Sequence, residues 1–127
     1  MAEEAETEED KLNALLSSDT RFNREAYRFV QESLEFTRRK LTRHGHVTGK
    51  ELAEGVRDLA LDRFGLLAKT VLNEWGIRTT GNIGDIVYNM IKAKIMVKQD
   101  SDNREDFDDV YDFENAFQTE FKLELDS

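Results

Sequence analysis

Between Ile83 and Ile95 the chain reads IGDIVYNMIKAKI, and its apolar residues Ile83, Ile86, Val87, Met90 and Ile91 recur every three to four positions. That spacing gathers them on one broad stripe of a helix, and such a stripe has to be buried against another element. A second apolar helical pattern precedes it and ends at Trp75 and Gly76, while an alternating segment and an aromatic run follow it. Helix, short turn, helix and then a period of two predicts an α+β fold. It would be mainly α-helical with a small C-terminal β-hairpin, in the order of a winged helix.

With 127 residues, 39% of them hydrophobic, the chain is sized for one domain with a modest core. Cysteine is absent, which removes disulfides, thiol nucleophiles and cysteine-ligated metals. No apolar run approaches the roughly 18 to 20 residues of a membrane span. The first twenty residues are acidic where a signal peptide would be basic and then apolar. The expectation is a cytoplasmic protein with no membrane partner.

The formal net charge of −9 is unevenly divided. Residues 1–20 carry −6, residues 21–50 carry +5, residues 51–100 balance, and residues 101–127 carry −8. Residues 1–20 hold too little apolar surface to fold by themselves and read as a disordered acidic lead. Leu12, Leu15 and Leu16 are the exception, able to dock as one amphipathic turn that masks the basic stretch. A single compact domain is expected over 21–122, with helices at about 22–43, 49–64, 66–75 and 82–94. The hairpin would span about 95–113, a short helix about 114–121, and 123–127 would be a tail.

In the first of these helices Phe22, Ala26, Phe29, Val30, Ser33, Leu34, Thr37 and Leu41 share one side. The other side carries arginines interrupted by glutamates, and Arg28 with Glu32 and Glu35 with Arg39 are spaced to pair within the helix. Its end, Arg38, Arg39, Lys40 and Arg43, joined by Lys50, is a candidate basic binding patch. Cations at a helix C-terminus also answer the helix dipole, so capping is the simpler role for them. His44 and His46 have no further ligand in sequence reach, and no metal site is expected.

Thr48 and Glu51 form a capping box that starts the next helix. Gly55 inside its apolar pattern marks a close helix crossing, and the following helix should bury Leu67, Val71, Leu72 and Trp75. Glycines at 76, 81 and 84 match no phosphate-binding order and read as stops and turns. In the expected hairpin, Ile95 to Lys98 and Phe107 to Phe113 are the strands. Asp102, Glu105, Asp106, Asp108 and Asp109 make it an acidic surface for a basic partner. A calcium loop begun at Asp100 fails at Arg104 and Glu105, which leaves only a looser divalent set of Asp100, Asp102, Asp106 and Asp108. No nucleophile or isolated carboxylate stands in a catalytic context, so neither enzyme activity nor a cofactor is expected.

The stretches RFNREAYRFVQESL (21–34), HVTGKELAEGVRDLALDRFG (46–65), TVLNEWGIRTTGNIGDIVYNMI (70–91) and REDFDDVYDFENAF (104–117) together resemble an uncharacterised family of planctomycete and verrucomicrobial proteins of similar size. The resemblance implies the bacterial cytoplasm and transfers no functional residue. Together these readings favour a small adaptor or regulator that binds an unidentified protein partner. The alternative is a winged-helix-like nucleic-acid binder using the basic end of the first long helix. Against it, the wing would be strongly acidic where phosphate has to be met.

Overall fold

The structure, a computed structural model, describes residues 6–42, 45–98 and 102–119. It is helical throughout these residues: α1 (Glu8–Ser18), α2 (Arg24–Lys40), α3 (Gly49–Phe64), α4 (Ala68–Glu74) and α5 (Thr80–Lys92). Short 3-10 turns at Gly65–Leu67 and Arg104–Phe107 and a π-helical segment at Glu114–Thr119 complete it.

Local chemistry sets the helix starts. Thr48 accepts from the Glu51 amide at 3.1 Å while Glu51 accepts from the Thr48 amide at 3.0 Å, the reciprocal cap expected for α3. Thr79 and Asn82 do the same for α5, and Thr7 and Asp10 for α1. The α4 stop is a Schellman turn in which Gly76 takes φ +97° and Ile77 N–H donates to Leu72 O at 2.8 Å. A side chain at Gly76 would also strike Arg21 O, 2.0 Å from the position of its Cβ.

The α5 stripe is buried as its spacing requires, with Ile83, Ile86 and Met90 inaccessible and Val87 nearly so. Its main neighbours are α2 and the 3-10 turn at Arg104–Phe107, while α2 crosses α3 in the most extensive helix pair. That crossing is close because Gly55 has no side chain. A Cβ there would lie 1.8 Å from Thr37 Oγ1. Buried Thr37 and Ser33 satisfy their hydroxyls on the Ser33 and Phe29 carbonyls of their own helix, both at 2.7 Å. Trp75 packs against Phe29 and Phe64, with ring centroids 5.4 and 5.7 Å away, and serves as a core anchor.

Several expectations are corrected. No β-strand occurs among the described residues, so the hairpin and the winged-helix order fall, and the fold is all-α rather than α+β. At Ile95–Lys98 the strand donors are already committed. Ile95 and Met96 N–H both donate to Met90 O in the Schellman turn that ends α5 through left-handed Lys94, and Val97 is 86% exposed. On the other side, Asn103 and Asp106 cap a 3-10 turn, and Asp109 at φ +52° breaks any extended run. The aromatic alternation has another use: Phe107, Phe113 and Phe117 are buried on the helical body, and Tyr111 Oη donates to Ala53 O at 2.8 Å.

The acidic lead also differs. Residues 8–18 form α1, with Leu12 and Leu15 in the core. Leu67, expected to be buried, is 61% exposed, because a 3-10 turn precedes α4 and rotates it outward. Residues 99–101, where the expected hairpin tip of 100–106 begins, and the segment with Phe121, Leu123 and Leu125 lie outside the described residues.

Candidate functional site

The basic set is divided by the fold. Arg38 donates through Nε to Gly45 O at 3.1 Å and through Nη1 to Glu35 at 2.7 Å, closing the turn after α2. Lys40 reaches across to Asp58 at 2.7 Å and ties α2 to α3. Arg39 and Lys50 are exposed, whereas Arg43 lies outside the described residues, as does His44. Arg38 lines a cleft between α2 and α5, but Arg39 lines a groove over α2 and α3 beside Arg63. Of the within-helix pairs expected on α2, Arg28 with Glu32 gives way to longer reaches, Arg28 meeting Glu9 and Glu32 meeting Arg63, while Glu35 pairs within the helix with Arg38 rather than Arg39.

The acidic set is divided as well. Asp102 lies 3.2 Å from His46 Nε2, and Asp106 accepts from the Asn103 amide at 3.1 Å. Asp108 pairs with Arg104 Nη1 at 2.7 Å, while Glu105 and Asp109 are exposed. Asp102 and Asp106 face the α2–α5 cleft, a cavity of about 70 Å³ walled by Leu34, Leu52, Val87 and Phe107. Asp108 and Asp109 belong to a separate concavity at the start of α5. Among the described residues no group of three or more histidines and carboxylates is placed to hold a metal.

A connected polar chain was not legible in the sequence. Asp19 accepts from Arg21 Nη2 at 2.8 Å, and Arg21 Nη1 donates to Asp85 at 3.0 Å. Asp85 accepts again from Arg104 Nε at 2.9 Å, and Arg104 continues to Asp108. Asn89 donates to both Asp19 and Tyr27 Oη at 3.0 Å. These partners are up to 70 positions apart, and no local spacing announces them.

Five of the titratable groups are held away from neutrality: Asp19, Asp58, Tyr27, Tyr88 and Tyr111. Hydrogen bonds from Arg21 and Asn89 keep the Asp19 carboxyl well below the usual range against the opposing effect of burial. Burial would raise Asp58, but hydrogen bonds from Lys40 and Arg57 outweigh it and lower it. Burial pushes the Tyr27, Tyr88 and Tyr111 hydroxyls up. Tyr88 Oη is buried with no hydrogen-bond partner among the described residues, and nearby Asp102 and Asp106 also raise it. Each shift disfavours proton exchange near pH 7, the reverse of what a general acid or base requires.

No protein-family model, curated protein or solved structure matches the chain. None of the described helices is long and apolar enough to cross a membrane. One surface feature escaped the sequence reading: Leu66 and Leu67, adjacent in the 3-10 turn between α3 and α4, are 68% and 61% exposed. Gly65 at φ +51° produces that turn, and a glycine followed by two leucines is the only sequence signal for it.

Proposed function

We propose that the protein is a non-enzymatic adaptor or regulator of the bacterial cytoplasm that acts by binding another protein. The observation that carries this reading is the leucine corner. Two neighbouring leucines left in water on a 3-10 turn are an apolar knob, and covering them with a partner recovers the hydrophobic free energy that folding left unused. Carboxylates and tyrosines shifted away from neutrality support binding rather than proton transfer. Nucleic-acid binding by the basic end of α2 is the weaker reading, because Arg38 and Lys40 already serve Glu35, Gly45 and Asp58.

Affinity capture from nuclease-treated native extract tests it, using tagged full-length protein beside Leu66→Glu/Leu67→Glu. The expected result is a protein partner that survives nuclease and is lost from the variant, whose free energy of unfolding stays within about 0.5 kcal/mol of the parent. Identical capture by both proteins, or loss of every partner on nuclease treatment, would overturn the proposal.

A further inference from the structure

Helix α1 sits on the body in a way that describes a site as well as an element. Glu9 pairs with both Arg24 and Arg28, which lie one turn apart on α2, and Glu8 accepts from Gln31 Nε2 at 3.1 Å. Leu12 and Leu15, 6% and 8% exposed, enter the core cluster, while Lys11 Nζ donates to the Lys94 carbonyl just past α5 at 3.4 Å. The seat therefore has a cationic ridge on α2, an apolar slot, and the Lys94 carbonyl just past the end of α5.

The occupant is lightly held. Its ion pairs are exposed, with Arg28 and Glu9 side chains 51% and 53% accessible, and pairs of that kind hold weakly. Two leucines are a small anchor, and a helix of 11 residues does not persist by itself in water. Local opening of α1 is thus far easier than global unfolding.

We propose that this groove between α2 and the C-terminal end of α5 is a docking seat for an acidic amphipathic helix of a partner protein, with α1 as its built-in competitor. The guest has acids one turn ahead of two leucines spaced by three, the pattern of Glu8, Glu9, Leu12 and Leu15. Charge complementarity with Arg24 and Arg28 selects its sign. A partner helix is favoured over the α1 of a second copy because residues 19–23 tether α1 beside its own seat, and Asp19 is fixed there by Arg21 and Asn89. The seat is separate from the leucine corner, so either surface can fail while the other stands.

The test uses a fluorescein-labelled peptide carrying the sequence of residues 6–19, titrated into full-length protein. Glu9→Lys repels Arg24 and Arg28, releases α1 and leaves the seat intact, and peptide affinity is expected to rise at least tenfold over the parent. Adding Arg24→Glu and Arg28→Glu restores opposite charges across the groove, recloses α1, and returns affinity to the parental level or below. Hydrogen exchange reports whether α1 is open. If Glu9→Lys leaves it closed, Leu12→Ser with Leu15→Ser takes its place. An open α1 without tighter peptide binding would overturn the proposal, as would a charge-swapped triple variant that binds as tightly as Glu9→Lys. A peptide-excluding dimer of the opened variant would assign the seat to a second copy and equally sink it. Leu66→Glu/Leu67→Glu is expected to leave peptide binding unchanged.

Discussion

A Cβ placed on Gly55 falls 1.8 Å from Thr37 Oγ1 and 3.2 Å from Thr37 Cβ, inside the crossing of α2 and α3. Alanine would raise helix propensity by about 1 kcal/mol. The buried threonine is held by its bond to Ser33 O, and overpacking of this kind costs about 1–3 kcal/mol. Gly55→Ala is therefore expected to lower the urea midpoint, and Thr37→Ala in the same chain to recover part of the loss. Equal midpoints for Gly55→Ala and the parent would show that the crossing yields.

Asp19 gives a prediction with a sign. Its carboxyl is depressed in the folded state by Arg21 and Asn89, so its stabilisation is fully present above the unfolded carboxylate value of about 4. It fades as the pH falls from there toward the lower folded value. Asp19→Asn should be less stable than the parent at pH 7, and the gap should narrow steadily below about pH 4. Denaturant titrations of both proteins between pH 3 and 7 check this, and a gap that widens on acidification would contradict the assignment.

At the scale of elements, what was legible followed from local rules. The α5 stripe, the Thr48 and Glu51 cap and the Gly55 crossing depend on neighbours within one or two turns, and a sequence displays such neighbours directly. The segment from Arg104 to Phe117 does not. Its alternating Phe107, Tyr111 and Phe113 satisfy the pattern of a strand, yet Phe107 and Tyr111 are fixed by distant helices and Phe113 stacks on Tyr111. Gly84 and Gly49 open the space for Phe107, with Phe107 Cβ only 2.8 Å from where a Cβ on Gly84 would stand. Thr80 Oγ1 takes the Val110 amide at 3.2 Å, and Ala53 O takes the Tyr111 hydroxyl. Period alone cannot tell a strand from a peptide strapped to helices when the strap's anchors alternate.

The strap reading predicts that Phe107→Ala costs about 3–5 kcal/mol, as for a buried aromatic. Tyr111→Phe, which keeps the ring and loses only the bond to Ala53, should cost about 1 kcal/mol. Thermal or urea unfolding measures both. A near-neutral Phe107→Ala would mean that the strap lies on the body without contributing to its core.

For the molecule as a whole, the uneven charge along the chain becomes a wiring of its two ends to the middle. The acidic N-terminal helix lies on the basic helix that follows it, and the acidic C-terminal segment is tied down through Arg104. Sequence division by charge made the attraction between segments visible but not its pairing, because the partners are set by the helix crossings. Asp85 is where both ends meet, accepting from Arg21 on the N-terminal side and Arg104 on the C-terminal side. Its pairs are part-exposed, with the Asp85 side chain 25% accessible, and are worth about 1 kcal/mol each, so Asp85→Asn should lower global stability by only about 1–2 kcal/mol. Its distinctive effect is on local opening. Removing that one charge leaves Arg21 paired to Asp19 and Arg104 to Asp108 and breaks the chain of ion pairs between them. Amide exchange is expected to accelerate both in α1 and in residues 104–113, while the α2–α3 crossing keeps its protection. Acceleration confined to one end would show that the two ends are anchored separately and that the chain of ion pairs carries no coupling between them.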